Sequence, residues 1–102
     1  MAKINWTAEA ERWLKDIYDY ISENNRDAAV RTIEAIYNKT QILLDFPQIG
    51  YKYGQIKDRE IRILLYGHYR IAYLIKPDKE IDILGVFHGA LDINQYQYCP
   101  NV

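Results

Sequence analysis

The stretch Glu60-Ile61-Arg62-Ile63-Leu64-Leu65-Tyr66-Gly67-His68-Tyr69-Arg70-Ile71-Ala72-Tyr73-Leu74-Ile75-Lys76 decides the fold. It holds two runs rich in Ile, Leu and Tyr, separated by Gly67-His68. Runs of that make-up bounded by turn residues read as strands. A two-residue connection requires that the two strands pair antiparallel. Pro77-Asp78-Lys79 closes the second run, and residues 81–87 form a third of the same kind.

Upstream of this meander the apolar period changes, with Pro47 marking the boundary. Ala10, Trp13, Leu14, Ile17 and Ile21 recur at spacings of three and four, the signature of an amphipathic helix over about residues 8–23. Thr7 is its expected N-cap, with Glu9 and Glu11 suited to the first turn. Asn24-Asn25 ends it. Asp27 is the expected cap of a second helix, whose apolar positions are Ala29, Ile33, Ile36, Thr40, Leu43 and Leu44. Pro47 cannot continue that helix and disfavours helical geometry at Phe46. Residues 47–54, punctuated by Pro47, Gly50 and Gly54, read as a loop. Residues 4–6 are long enough for an edge strand.

The expected fold is therefore α+β. An N-terminal edge strand and an antiparallel helical hairpin pack on a three- to four-stranded antiparallel sheet, in the order βααβββ. The hairpin must cover one sheet face. The other face must be partly polar and open, or covered by a partner. Residues 1–93 form one domain, and residues 94–102 form an irregular tail.

A chain of 102 residues supports one hydrophobic core. No apolar run approaches the roughly 20 residues needed to span a bilayer. The opening residues lack the apolar stretch of a secretory signal, and Cys99 alone cannot form an internal disulfide. A cytoplasmic protein with no membrane partner is expected. Ten Tyr and two Trp against two Phe favour half-buried or partner-binding surfaces. The net charge of −1 and a pI near 6.1 argue against a dedicated nucleic-acid binder. The charge is nevertheless uneven. Residues 1–38 carry five Lys/Arg and seven Asp/Glu, whereas residues 39–80 carry eight and five.

The chemistry-bearing candidates are few. Arg62 lies mid-strand, its side chain directed away from those of Ile61 and Ile63. Arg70 opens the following strand. Both could face an anion or an acidic partner on an open sheet face, or simply pair with carboxylates across strands. His88 ends the last strand and has the titration range of a general acid or base. His68 reads as a turn residue. The two His are not spaced as a zinc pair, and neither a phosphate loop nor a nucleophile elbow is present, so no metal or cofactor is expected.

Four segments in order carry a resemblance. Trp6-Thr7-Ala8-Glu9-Ala10 precedes the long helix, and Leu44-Asp45-Phe46-Pro47-Gln48-Ile49-Gly50 ends the helical half. Arg62-Ile63-Leu64 is followed by Tyr69-Arg70-Ile71-Ala72-Tyr73, and the last strand runs Ile83-Leu84-Gly85-Val86-Phe87-His88-Gly89-Ala90-Leu91-Asp92. Together they resemble the RelE/ParE superfamily of type II toxin–antitoxin systems, and the ParE-type toxins most. The resemblance spans roughly residues 6 to 93. Leu91 departs from the usual Arg of the ParE-type ending.

That resemblance implies a toxin neutralised by a cognate antitoxin whose flexible segment wraps across it. ParE-type members poison DNA gyrase without a catalytic set. RelE-type members cut mRNA on the ribosome. The paired lysines of the RelE-type strand are absent here, where Glu60, Ile61, Arg62 and Ile63 stand. Gly89 falls near the position of the RelE-type arginine after the last strand. Arg70 matches an arginine shared by both types. A gyrase-binding toxin is thus the first expectation, with Arg62, Arg70, Tyr51, Lys52, Tyr53 and Lys57 near its partner-binding surface. The alternative is a ribosome-dependent endoribonuclease using Arg62, Arg70 and His88.

Overall fold

A computed structural model describes residues 3–57 and 59–88, with His88 by its backbone alone. The elements run β1 (Ile4–Trp6), α1 (Ala8–Ser22), α2 (Arg26–Thr40), a 3-10 turn (Gln41–Leu44), β2 (Tyr51–Ile56), β3 (Arg59–Tyr66), β4 (Tyr69–Ile75) and β5 (Ile81–His88). Strands, helical hairpin and meander follow the expected α+β order. Among the described residues the sheet, however, has five strands, in the order β1-β5-β4-β3-β2.

The added strand is β2, in the segment read as a loop. Gly54 breaks its apolar alternation, and a bulge between Lys52 and Gly54 absorbs the irregularity against β3. A short edge strand with mostly exposed or half-buried side chains leaves little periodic signal. The β2–β3, β3–β4 and β4–β5 pairs are antiparallel, whereas β1 runs parallel to β5, with Ile4 opposite Ile81 and Trp6 opposite Ile83. β1 is at an edge, as its short length suggests.

Thr7 starts α1 and also ties it to the sheet. Its hydroxyl accepts from the Ala10 amide at 3.1 Å and donates to the Ile83 carbonyl at 2.7 Å. The cap of α2 is Asn25 rather than Asp27. Asn25 is extended, and its side-chain oxygen accepts from the Ala28 amide at 3.0 Å, while Asp27 already lies inside the first turn. α2 stops at Thr40, whose buried hydroxyl donates to the Tyr37 carbonyl at 2.7 Å. The helical pitch then tightens over Gln41–Leu44 instead of continuing unchanged to Leu44. In the β3–β4 turn Gly67 has φ of +56°, the conformation glycine adopts without steric cost.

The main core lies between hairpin and sheet. Ala10 and Leu14 of α1, Ile36 of α2 and Leu43 meet Leu64, Ile71, Tyr73, Ile81, Ile83 and Val86. Strand alternation turns Ile63, Ala72 and Phe87 to the opposite face, where they form a second buried cluster with Trp13, Tyr53 and Leu84 against it. That face is apolar along its middle, and Arg70 stands on it as a polar member. The Trp13 and Phe87 rings approach at 4.8 Å between centroids. The tail 94–102 and Cys99 lie outside the described residues.

Candidate functional site

The loop 45–50 follows from the end of the helical half. Pro47 forbids another helical turn, and the chain must cross from the helix layer to the sheet edge before β2 begins at Tyr51. Two side chains that face each other across β3 and β4, Arg62 and Tyr73, hold it there. The Tyr73 hydroxyl donates to the Pro47 carbonyl at 2.7 Å and accepts from the Gly50 amide at 3.0 Å. Arg62 donates from Nη1 to the Gln48 carbonyl at 3.1 Å and the Gly50 carbonyl at 2.6 Å, and from Nε to the Glu60 carboxylate. Gly50 is required by contact. A Cβ there would lie 2.6 Å from the Ile63 carbonyl oxygen and 2.7 Å from the Tyr73 hydroxyl. Tyr73 is fully buried, and burial pushes its hydroxyl pKa up.

Arg62 is therefore largely built into the scaffold, on the helix side of the sheet. Arg70 is not. It stands opposite Leu65 on β3 and Phe87 on β5, which places it on the face away from Arg62 and Tyr73. It is half-buried, and among the described residues it makes no hydrogen bond or ion pair. The two arginines named together from the sequence are thus separated by the thickness of the sheet. His88 closes β5 opposite Tyr69, but its side chain lies outside the described residues. His68 occupies the β3–β4 turn beside Gly67.

The other candidates gather at the β2 edge. Tyr51 is exposed opposite Ile63, and Lys52 is exposed opposite Arg62. Tyr53 sits in the bulge and packs against the second apolar cluster. Lys57, at φ +56°, is exposed in the turn to β3. Just before β2 in the chain lies a surface that the sequence reading did not single out. Phe46 is 60% exposed and Ile49 50% exposed, although both are large and apolar. With Ile42 and Pro47 they line an open depression of about 540 Å³. Its signal in the sequence is the apolar pair flanking Pro47, at a point where periodicity can no longer say which side faces water.

A second apolar groove, of about 410 Å³, runs along α1 between Trp13, Ile17, Tyr20, Tyr69 and Val86, with Asp16 at its rim. Among the described residues no group of three His, Cys, Asp or Glu side chains gathers as a metal site would require. Among the described residues no helix is long and apolar enough to cross a membrane.

Comparison with known proteins places this geometry. The sequence model of the family described as "ParE toxin of type II toxin-antitoxin system, parDE" matches residues 4–93. The Sinorhizobium fredii protein Y4kP, classed by name as a candidate toxin, is 35% identical over 87 residues, covering 85% of this chain and 88% of that protein. Among solved structures, the chromosomal ParDE TA system from P. aeruginosa superposes with a TM-score of 0.68 at 22% identity, over 86% of this chain and 96% of that one. The archaeal RelE-RelB complex from Pyrococcus horikoshii superposes with a TM-score of 0.61 at 18% identity, over 89% and 98%. The RelBE2 toxin–antitoxin complex from Mycobacterium tuberculosis gives 0.61 at 20%, over 84% and 95%. At these identities the structural neighbours show a shared fold.

Proposed function

We propose that this chain, which belongs to the ParE toxin family of type II toxin–antitoxin systems, arrests growth by binding DNA gyrase in the cytoplasm and is silenced by a cognate antitoxin. It acts on this reading as a binding protein. Gyrase would be held in its cleaved complex, and replication would stop.

The observation that carries the choice of target is the position of Arg62. An endoribonuclease built on Arg62, Arg70 and His88 would need both guanidiniums beside one phosphate. Arg62 is instead bonded to Glu60 and to the backbone of Gln48 and Gly50, on the opposite side of the sheet from Arg70. The charge supports the same choice. A protein that cuts RNA inside the ribosome gains from a strongly basic surface, and this chain has a net charge of −1. Tyr51, Lys52, Tyr53, Lys57 and Arg70 remain as partner-facing candidates.

The test is a supercoiling assay with purified gyrase and the purified chain, beside a translation assay on the same preparation. Loss of supercoiling with accumulation of linear DNA, and translation unaffected, is the expected result. Intact supercoiling with mRNA cleaved on ribosomes would overturn it.

A further inference from the structure

The sheet face turned away from the helical hairpin carries Ile61, Ile63 and Leu65 of β3 and Arg70, Ala72 and Leu74 of β4, because Arg62 and Tyr73 take the other side. Phe87 joins them from β5. A side chain on the outer face of a sheet is flanked by its strand neighbours but keeps its top open to water. Four of these residues have no open top. Ile61 and Ile63 are 1% exposed, and Ala72 and Phe87 are 0% exposed. The cover has a limit. Leu65, at the end of the same row of β3, is 55% exposed, and its cross-strand neighbour Arg70 is half-buried.

The described elements do not supply this cover. The helical half packs Leu14, Ile36 and Leu43 against the other face. Trp13 comes round the β5 side only as far as Phe87 and Gly85. Tyr53 and Leu84 flank the buried cluster and are themselves only half-buried. Ile61 lies beyond them, opposite Leu74 on one side and Gly54 on the other, and Gly54 has no side chain to shelter it.

The single chain buries these residues by itself, so its own residues form the cover. Outside the described residues the chain holds residues 1–2, residue 58 and residues 89–102. Two residues ahead of Lys3 reach about 7 Å at most and start beyond β5, at the far edge from β2. Residue 58 only joins β2 to β3. Residues 89–102 leave β5 next to Phe87. From there β3 is two strand spacings away, about 10 Å, which about three extended residues span. The segment brings Leu91, Ile93, Tyr96 and Tyr98, and it has no Lys or Arg to repel Arg70.

We propose that residues 89–102 turn back at the end of β5 and lie across the second face of the sheet, with their apolar side chains over Ile61, Ile63 and Leu74. Arg70 then stands at the rim of this cover, and the segment forms part of any surface that Arg70 offers to a partner. The inference concerns the free chain and does not depend on which target it binds.

The test is NMR on the full chain, free in solution. Side-chain NOEs from Leu91, Ile93, Tyr96 or Tyr98 to the methyl groups of Ile61, Ile63 or Leu74 are expected. The double variant L91D/I93D is then exposed to a soluble paramagnetic agent. Severalfold greater broadening of the Ile61 and Ile63 methyls is expected, while those of Ile71 and Ile81 in the main core stay unchanged and show that the variant folds. Ile61, Ile63 and Leu74 methyls that meet no residue of 89–102 overturn the inference. So does a double variant, folded by the same criterion, whose Ile61 and Ile63 methyls broaden no more than those of the unsubstituted chain. NOEs that appear only between labelled and unlabelled copies overturn it in favour of a second copy.

Discussion

The hydroxyl of Tyr73 and the amide of Gly50, 23 residues apart in sequence, meet in a buried hydrogen bond of 3.0 Å. Through it the middle of the sheet fixes the loop that leads into β2. The consequences of that bond can be measured separately from those of the exposed candidates.

Tyr73→Phe keeps the ring and removes the oxygen. The Gly50 amide and the Pro47 carbonyl each lose a partner in a buried setting, so a destabilisation of about 1–3 kcal/mol is expected in urea melts. Tyr73 also sets an alkaline limit. Its folded pKa is raised by burial above the ordinary 10.0, so the folded state holds a proton that the unfolded chain has released. Stability is full below pH 10 and falls as pH climbs from there towards the folded value. Tyr69 is raised by burial too, so Tyr73→Phe should weaken the alkaline loss without abolishing it.

Gly50→Ala introduces a Cβ into space already held by the Ile63 carbonyl and the Tyr73 hydroxyl. A backbone carbonyl in a central strand yields poorly, and a loss of about 1–3 kcal/mol is expected from thermal denaturation.

Arg62→Ala and Arg70→Ala should part company. Arg62→Ala strips the loop of two bonds and leaves the partly buried Glu60 unpaired, for a cost of about 1–3 kcal/mol. Arg70→Ala breaks no bond among the described residues and should change stability by less than about 0.5 kcal/mol. Growth inhibition lost in Arg70→Ala with an unchanged melting curve would mark Arg70 as a contact for the target. Growth inhibition retained in that variant would remove Arg70 from the functional surface.

Thr7→Ala removes both the cap of α1 and the bond to the Ile83 carbonyl. About 1–2 kcal/mol is expected, at the upper end of single-cap effects, because the same hydroxyl serves two partners. Asn25→Ala, which removes a cap alone, should cost less in the same assay.

What the sequence disclosed follows from where its signals are strong. The meander β3–β4–β5 was legible, because each strand is apolar enough to need burial and each turn carries Gly or Pro. α1 was legible from Thr7 to its end, because its stripe is continuous. β2 was not, because Gly54 and the bulge at Tyr53 erase the period-two pattern that defines a strand. The cap at Asn25 was displaced onto Asp27, since both residue types serve that role and only the backbone angles tell them apart.

The candidate site was less legible than the fold. Tyr51 and Lys52 open one strand, β2, and Lys57 follows its far end, a placement that comes simply from their nearness in sequence. Arg62 and Arg70 look alike in sequence, each mid-strand or strand-opening among apolar residues. Their separation depends on pairing register: Arg62 faces Tyr73, and Arg70 faces Leu65. No single strand reveals that relation. The exposure of Phe46 and Ile49 was hidden for a similar reason, since an irregular segment has no face until a partner layer defines one.

The parallel pairing of β1 with β5 brings Asn5 within 3.0 Å of Asp82 across 77 residues of chain. Contacts so distant form late, because the loop between them must close before they return any stability. During synthesis β1 and the helical hairpin leave the ribosome before β5 and must wait for it. Until Ile83 has emerged, β1 has no strand to pair with and the Thr7 hydroxyl has no carbonyl to reach. The chain thus completes its sheet and the first turn of its first helix only once β5 has been made.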